Sequence, residues 1–281
     1  MKRKKMDRST YKSGLSNWDI FGTPMFGRDR FALLKLVGSL PENAQAWIAT
    51  VNPEFVMKAQ EDRDFMKILQ NRTTYNVADG VGLLWAKEVL KVKSSQVLIR
   101  IGKRLGKGFL VGMEVIWGRK MDGLISGADL IDSLCKEAAE NNKSVFFLGG
   151  WGDRGARSAA LFKKKYPTLK VSGSYAGNRV GEDEKTLKVL SLYNIDYLFV
   201  AYAMKTQEEW INRNLDKLKV RLVMGVGRSF DYYSGDLRRA PTWVRKMGFE
   251  WLYSLFMEPK RWKRQLALPR FIGKVLIEER F

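Results

Sequence analysis

Residues 144–156 read SVFFLGGWGDRGA, and this stretch sets the pattern for most of the chain. The run SVFFLG (144–149) is short and apolar, which is typical of a buried strand. A glycine-rich turn follows, and the segment DRGARSAALFKKKY (153–166) then has its apolar residues at helical spacing. A buried strand that leads through a turn into an amphipathic helix is the repeating unit of a parallel α/β sheet.

The same unit recurs on both sides of this stretch. Five more apolar runs predict strands at 46–51, 73–78, 169–175, 196–202 and 220–227. Amphipathic segments that predict helices lie between them, among them a single helix over 53–69. Short apolar strands that alternate with such helices indicate an α/β fold with a mostly parallel sheet and helices on both faces. In such a sheet, ligands bind at the C-terminal ends of the strands.

Three segments lie outside this alternation. Residues 1–45 are weakly patterned, and we expect an N-terminal extension that packs on an α/β core formed by residues 46–237. Residues 91–121 are basic and apolar by turns, and we interpret them as an insertion in that core. Residues 238–281 have helical patterns without a strand signal, which predicts a helical, basic and aromatic appendage.

The composition excludes several kinds of site. The 281 residues contain no histidine and a single cysteine, Cys135. Histidine-based metal sites, Ser-His and Cys-His triads and disulfide scaffolds are therefore excluded. Acid–base chemistry near neutral pH must then use Asp, Glu, Lys or Tyr. Cys135 lies in a helix-like run, where a buried inert thiol is the simpler interpretation than a nucleophile.

The charge balance favours an anionic partner. The chain has 50 Lys and Arg against 30 Asp and Glu, a net charge of +20, which suits a nucleic acid, an anionic bilayer surface or a phosphate-bearing substrate. No run approaches the roughly 20 apolar residues that span a bilayer, and no signal-peptide core follows the basic start. We therefore expect a cytoplasmic protein that the basic, aromatic segment 238–281 attaches to a membrane surface. The alternative is that the apolar stripe of this segment packs on the core.

Polar residues follow two of the predicted strands. Asp79 and Gly80 come directly after the second strand, and Thr50 and Asn52 close the first. Because the chain has no histidine, Asp79 is a candidate general base, and the alternative role is a helix N-cap. Asn52, directly before a proline, is open between a helix cap and a ligand contact.

The glycine turn of the opening stretch is open to two interpretations. Gly150-x-Gly152-x-x-Gly155 would let backbone N–H groups reach a phosphate at a helix N-terminus. A dinucleotide fold would also have an acidic residue at the end of the next strand, and LKVSGSYAG (169–177) has none, which argues against it. A contact with a nucleotide diphosphate and a purely structural turn both stay open.

Two further strand ends are polar. Gln207 and Glu208 lie just past the strand at 196–202, at a helix start where acidic residues are common. GVGRSFDYYSG (225–235) ends the last predicted strand, with Gly227 allowing close backbone approach and Asp231 nearby. A plain loop is the alternative for this segment.

The motifs form a series in chain order. They read T-x-N-P-E, D-G-x-G, S-G-x-D-L, F-F-L-G-G, Q-E-x-W, G-V-G-x-x-F-D, R-A-P and E-W-L-Y…E-P-x-R-W-x-R. This series, over residues 45–268, resembles the WecG/TagA/CpsF family of bacterial glycosyltransferases. The resemblance implies a Rossmann-like core, a C-terminal appendage that meets the membrane, a peripheral location on its inner face, and self-association in some members.

The resemblance also implies a reaction. Such enzymes are inverting, metal-independent transferases that need no cofactor besides the UDP-sugar donor. They move a sugar, often N-acetylmannosamine, to an undecaprenyl-diphosphate-linked sugar, and the products feed teichoic acid or exopolysaccharide. Inverting transfer needs one base on the acceptor hydroxyl and positive charge or N–H dipoles on the leaving diphosphate, which the residues above offer.

The resemblance assigns a role to each motif position. Asp79 matches the catalytic base, and Thr50 and Asn52 match the polar pair beside it. Gln207 and Glu208 match a pair at the donor pocket. Further positions are expected to contact substrate, the last two through its diphosphate: Gly80, Gly149, Gly150, Gly227, Phe230, Asp231, Arg239, Arg261 and Arg264.

The chain departs from the family pattern at four positions. Leu124 and Ser254 stand where arginines are usual, Arg228 stands for a glycine, and Lys205 stands for a proline. These departures motivate one alternative, a degenerate family member that acts as a binding protein. A nucleic-acid-binding protein is a second alternative, which we disfavour because no nucleic-acid motif is present.

Overall fold

Six parallel strands form the central sheet of the computed structural model, which describes residues 18–117, 123–177 and 181–279. The structure describes eight strands, of which the last six form this sheet. In chain order they are β1 (Trp18–Ile20), β2 (Thr23–Met25), β3 (Ala46–Val51), β4 (Tyr75–Ala78), β5 (Ser144–Gly149), β6 (Lys170–Tyr175), β7 (Tyr197–Ala201) and β8 (Leu222–Gly225). The order across the sheet is β4-β3-β8-β7-β5-β6, and every pairing is parallel. The predicted Rossmann-like α/β fold is confirmed.

Helices connect the strands and cover the sheet. They are α1 (Arg30–Gly38), α2 (Pro53–Glu61), α3 (Arg63–Lys67), α4 (Val81–Val89), α5 (Val97–Ile116), α6 (Gly127–Glu140), α7 (Arg154–Lys165), α8 (Asp183–Ser191), α9 (Thr206–Asn214), α10 (Ser229–Tyr233), α11 (Thr242–Lys246), α12 (Glu250–Met257), α13 (Trp262–Gln265) and α14 (Ala267–Ile277). A π-helical turn at Ile68–Arg72 follows α3, and a 3₁₀ turn at Pro259–Arg261 precedes α13.

Five strands of the sheet, β3, β4, β5, β7 and β8, are buried along their whole length because both faces are covered, whereas the edge strand β6 is partly exposed. Phe147 of β5 points into a core cluster with Leu134 of α6 and Phe162 of α7. Its neighbour Phe146 points the opposite way, into a cluster that includes Ile211 of α9. This alternation along one strand explains why the sequence shows unbroken apolar runs rather than a polar–apolar pattern.

The single helix predicted over 53–69 is wrong. The Asp62 carboxylate accepts hydrogen bonds from the backbone N–H groups of Asp64 (3.1 Å) and Phe65 (3.0 Å), and so caps a new helix, α3. Asp62 itself has an extended backbone, which ends α2 at Glu61. A side-chain cap in the middle of an amphipathic run therefore divides it.

The N-terminal segment contains regular elements that the sequence pattern did not reveal. The hairpin of β1 and β2 buries Ile20 and Met25, and α1 buries Leu33 and Val37 against the sheet. Residues 1–17 of the predicted extension lie outside the described residues. The predicted insertion contains the long helix α5, and its residues 118–121 also lie outside the described part.

The C-terminal appendage returns to the core. Helix α14 packs against α2 and buries Phe271 and Val275, and the Phe271 ring lies edge-on to Phe21 at 6.0 Å. The division of the chain at residue 238 stays a prediction. Of the helices that the structure describes, none is long and apolar enough to cross a membrane.

Gly149, at the end of β5, is a point of close backbone approach. Its φ is +90°, and a Cβ there would lie 2.6 Å from the carbonyl oxygen of Ala201 on β7. The next N–H group, of Gly150, donates to that same oxygen at 2.9 Å. The glycine therefore allows the turn to close against the neighbouring strand.

Replacement of Gly149 should destabilise the fold. We expect Gly149→Ala to lower the free energy of unfolding by more than about 2 kcal/mol, because it adds a clash to an unfavourable φ. Gly152→Ala is the matched control, since Gly152 also has a positive φ but open space around its Cβ position. The control should cost about 1 kcal/mol, and equal losses in urea unfolding would contradict this account.

Candidate active site

Strands β3 and β4 end side by side at one edge of the sheet. Val51 lies in register with Ala78, and the N–H of Asp79 donates to the carbonyl of Val51 at 2.7 Å. The segment after the insertion then runs along β4, because the N–H of Ile125 donates to the carbonyl of Ala78 at 3.0 Å. The N-terminus of α6 is thereby brought to the carboxylate of Asp79.

The Asp79 carboxyl group is half-buried, and its electrostatic surroundings are unfavourable for a negative charge. The pKa is raised from 3.8 to about 7, chiefly by burial and then by the nearby Glu250 carboxylate. The Gly127 N–H, which donates to Asp79 Oδ1 at 3.2 Å, and the Arg239 guanidinium oppose this rise. A carboxyl group with a pKa near 7 can accept a proton at neutral pH and hold it, as a general base requires.

Gly127 is a packing requirement of this arrangement. A Cβ at Gly127 would lie 3.1 Å from Thr50 Cγ2 and 3.5 Å from Asp79 Oδ2. The missing side chain lets the first turn of α6 fit between these two residues. The Thr50 hydroxyl donates to the carbonyl of Gly225 on β8 at 3.2 Å, so Thr50 links the Asp79 group to the next strand.

Arg239 joins the appendage to this group. Its guanidinium donates to Asp129 at 2.5 and 3.1 Å, to Ser126 Oγ at 2.8 Å and to Glu250 at 3.3 Å. Burial would raise the pKa of Asp129, but the hydrogen bond and charge of Arg239 outweigh it and hold that pKa below its usual value. The Arg239 charge is therefore already shared by carboxylates beside Asp79.

Gln207 and Glu208 form a second, buried group at the ends of β7 and β8. Gln207 Oε1 accepts from the N–H of Gly227 at 2.9 Å, and Gln207 Nε2 donates to Glu208 Oε1 at 2.7 Å. Burial raises the pKa of Glu208 to about 7. A Cβ at Gly225 would lie within 3 Å of both side chains, so that glycine makes room for the pair. The pair therefore fixes the turn at Gly227 through the hydrogen bond to Gln207.

Asp231 and Phe230 lie in a third group, at the N-terminus of α7. Asp231 accepts from Arg154 at 2.8 Å and from Arg228 at 3.4 Å, while Arg228 also pairs with Glu258 of the appendage. The Phe230 ring is fully buried 5.4 Å from Phe147, and the Cβ position of Gly150 faces it at 3.3 Å. The glycine turn of the opening stretch is thus packed on the core, and phosphate binding there stays a prediction.

The remaining predicted residues lie at the rim. Asn52 Oδ1 accepts from the N–H of Phe55 at 3.1 Å and caps α2, and Gly80 begins α4 with a φ of +97°. Arg264 makes a two-pronged ion pair with Glu54, at 2.9 and 2.7 Å. The side chain of Arg261 lies outside the described part of the chain.

The structure thus places several predicted residues in one row. Thr50, Asp79 and Arg239 lie at the ends of β3 and β4, and Gln207, Glu208 and Gly227 lie at the ends of β7 and β8. The hydrogen bond from Thr50 to the carbonyl of Gly225 connects the two halves, because Gly225 also contacts the Gln207–Glu208 pair.

Sequence reasoning missed the residues that surround Asp79. Ser126, Gly127 and Asp129 belong to the motif S-G-x-D-L, and Glu250 belongs to E-W-L-Y, but neither motif was assigned to the site. The signal that could have pointed to S-G-x-D-L is its place in the chain, because this motif starts a helix directly after a loop. Tyr232 was also missed, and its pKa is raised by burial in the same charged surroundings.

The four departures from the family pattern differ in their surroundings. Leu124 is exposed on the segment that runs along β4, and Ser254 lines a small crevice with Tyr232 and Glu250. Lys205 pairs with Asp62 at 2.9 Å on the surface, and Arg228 connects the β8 turn to the appendage. Lys205 and Arg228 therefore each have an ion-pair partner in this chain, although the family pattern has proline and glycine at these positions.

Together the fold and these groups define an α/β protein with its candidate active site at the carboxyl edge of a parallel sheet. The site combines a carboxyl group that titrates near neutrality with arginines and a helix N-terminus suited to an anionic substrate. The chain belongs to the glycosyl transferase WecG/TagA/CpsF family, whose model matches residues 18–101 and 104–281. It is therefore a glycosyltransferase.

Three curated relatives carry the same name, N-acetylglucosaminyldiphosphoundecaprenol N-acetyl-beta-D-mannosaminyltransferase. The Bacillus subtilis strain 168 protein is 28% identical over 235 residues, which cover 84% of this chain and 80% of that protein. The Staphylococcus aureus strain MRSA252 protein is 27% identical over 270 residues, or 94% of both chains. The Bacillus spizizenii protein is 26% identical over 241 residues, or 86% of this chain and 82% of that protein.

The raised pKa of Asp79 predicts a pH-dependent stability difference. A folded pKa near 7 against 3.8 unfolded means that stability is full below about pH 3.8 and is lost as the pH rises through about 7. Asp79→Asn removes this loss, so its melting temperature relative to the unmodified chain should rise between about pH 4 and pH 7 and level off above that. The exposed Asp64→Asn is the control for the removal of a surface carboxylate. A difference for Asp79→Asn that does not change with pH would contradict the proposed burial effect.

Proposed function

We propose that this chain transfers N-acetylmannosamine or a related hexose from a UDP-sugar to an undecaprenyl-diphosphate-linked sugar. The product would enter a wall or surface polysaccharide such as teichoic acid. Family membership and the common name of the curated relatives support the class of donor sugar and acceptor. The observation that carries the mechanism is the Asp79 carboxyl group, which has a pKa near 7 and lies at the ligand edge of the sheet.

The proposed reaction is a single displacement with inversion. Asp79 accepts the proton of the acceptor hydroxyl while that oxygen forms a bond to the anomeric carbon of the donor. The bond from the anomeric carbon to the diphosphate oxygen breaks at the same time, and UDP leaves with the electron pair. The Gly127 N–H holds the Asp79 carboxylate in position for this transfer.

The leaving diphosphate needs positive charge, and we propose that the protein supplies it without a metal. The resemblance assigns this role to Arg261 and Arg264, and the structure has Arg264 paired with Glu54 beside the strand ends. An incoming diphosphate would exchange with that carboxylate, because a guanidinium binds both groups through the same two N–H donors. No other cofactor is required by this scheme.

The acceptor also suggests where the protein works. We propose peripheral attachment to an anionic membrane surface, on the inner face of the cell membrane, where an undecaprenyl carrier would be embedded. The exposed Trp243, Trp251 and Trp262 of the appendage and the net charge of +20 support this attachment.

A direct transfer assay tests the proposal. Purified protein would be given labelled UDP-N-acetylmannosamine and a water-soluble, short-chain polyprenyl-diphosphate N-acetylglucosamine, with and without a chelator. Transfer that persists with the chelator and gives a product of inverted anomeric configuration by NMR is expected. A folded protein that binds no UDP-sugar would instead favour a degenerate family member that acts as a binding protein.

The role of Asp79 gives a quantitative prediction. Asp79→Asn should lower kcat by about 100-fold or more, because a general base typically contributes that much. In the unmodified enzyme, kcat/KM should rise with pH and level off above about 7, since the base acts only when it is deprotonated. Asp64→Asn is the control with exposed charge and should keep full activity. Full turnover by Asp79→Asn would remove Asp79 from the mechanism.

A further inference from the structure

Helix α5 buries two arginines while it exposes large apolar side chains. Its inward face carries Arg100 and Arg104 in the first half of the helix and Gly108, Val111 and Val115 in the second half. Its outward face carries large apolar side chains, of which Leu98 is 84% exposed and Phe109 is 69% exposed. A surface helix normally buries its apolar stripe and exposes its charges, so this orientation indicates a partner for the outer face.

The inward arginines fix that orientation. Arg104 donates to the carbonyls of Val275 at 2.8 Å and Glu278 at 2.6 Å, and Arg100 donates to the carbonyl of Ile277 at 3.0 Å. These carbonyls end helix α14, where the helix dipole and unpaired acceptors favour cations. The two arginines therefore hold α5 against the appendage. Their guanidinium groups are engaged at the end of α14 and are not part of the Asp79 group.

The middle of α5 is held by α4, through the same inward face. Trp85 Nε1 donates to the carbonyl of Gly108 at 3.0 Å, and a Cβ at Gly108 would lie 2.8 Å from the Trp85 ring. Rotation of α5 about its axis would break these contacts. The apolar face is thus held outward by the packing of the chain itself.

The outer face is continuous. At 100° per residue, an arc of about 140° opposite the buried residues contains only apolar side chains and glycine. Its members are Leu98, Ile99, Gly102, Leu105, Gly106, Phe109, Leu110, Met113, Ile116 and Trp117. Lys103, Glu114 and Lys107 lie side by side along one border of this arc, which leaves that border with a net positive charge, and the lysine side chains can extend to anionic groups.

The C-terminal end of α5 lies beside the candidate active site. A Cβ at Gly248, between α11 and α12, would lie 2.7 Å from Val81 and 3.5 Å from Val115 of α5. Val81 is two residues after Asp79. The apolar face of α5 and the exposed tryptophans of the appendage therefore flank the same end of the sheet.

We propose that α5 is an interfacial helix that inserts its outer face into the surface of an anionic bilayer. The inference rests on the proposed function, because it gives that enzyme a second membrane contact besides the appendage. The net positive border of the face matches anionic headgroups, whereas two copies of this chain, with a net charge of +20 each, would repel one another overall. The apolar arc supplies the insertion and the lysines supply the attraction.

Vesicle binding of the full chain tests the inference. The vesicles contain equal amounts of phosphatidylglycerol and phosphatidylcholine, and binding is measured by sedimentation. The double variant Leu105→Glu with Phe109→Glu should bind about tenfold more weakly or worse, since two apolar anchors become anionic. Leu192→Glu is the matched control, because Leu192 is 76% exposed and lies directly after α8, before the N-terminal end of β7 and so away from the carboxyl ends of the strands. It should bind as the unmodified chain does.

A second measurement does not depend on the double variant. Cys135 is buried, and burial raises its pKa, so a cysteine introduced by Phe109→Cys can be labelled selectively with an environment-sensitive dye. Vesicles should shift the emission of this dye to the blue and leave a dye at Leu192→Cys unchanged. Equal vesicle binding by the double variant, or no shift at position 109, would overturn the inference. A loss of self-association in the double variant with vesicle binding unchanged would assign the face to a second copy and also overturn it.

Transfer to the soluble acceptor separates this inference from the proposed function. The double variant should keep full activity on that acceptor and lose activity on an undecaprenyl acceptor embedded in the vesicles. If the unmodified chain fails on the soluble acceptor, the proposed function is wrong, and the vesicle measurements still decide the role of α5. Equal activity of both proteins on the embedded acceptor would count against α5 as a membrane contact.

Discussion

The candidate active site depends on one contact, between the first turn of α6 and the carboxylate of Asp79. The N–H of Gly127 can reach that carboxylate only because Gly127 has no side chain to meet Thr50. The contact brings together the end of β3, the end of β4 and the chain that returns from the insertion. It also places Asp129 and Ser126, at the start of α6, where Arg239 of the appendage binds them. Loss of this approach would separate the carboxylate from the appendage.

The arginines of the site are held by carboxylates before any substrate arrives. Arg239 binds Asp129 and Glu250, and Arg264 binds Glu54. These pairs are half-exposed or exposed, so each contributes little to the stability of the fold. Their arrangement instead keeps the guanidinium groups oriented at the strand ends. Under the proposed function, a phosphate-bearing substrate would compete with a carboxylate for each arginine, so that binding would be an exchange of partners.

Local patterns in the sequence predicted the sheet well, because every strand of the sheet except the edge strand β6 is buried on both faces and reads as a mostly apolar run. The same reasoning failed where a single side chain decides the geometry, as at Asp62, which divides a helix. It also placed Asp79 and Thr50 correctly at one edge of the sheet. The sequence could not reveal that Ser126, Asp129 and Glu250 meet there, because they meet through Arg239, which lies more than a hundred residues after Ser126 and Asp129 in the chain. Helix α5 escaped prediction because its arginines face inward, which inverts the usual pattern.

The bonds between α5 and α14 also bear on the order in which the chain can mature. Arg100 and Arg104 also bind the nearby carbonyls of Ser94 and Val92, but the bonds that tie α5 to the appendage end on carbonyls between Val275 and Glu278, more than 170 residues further along the chain. During synthesis the strands of the sheet leave the ribosome before α14 does. The apolar face of α5 therefore acquires its fixed direction only after α14 has emerged. A nascent chain that stops short of α14 would lack the oriented surface that the folded protein presents.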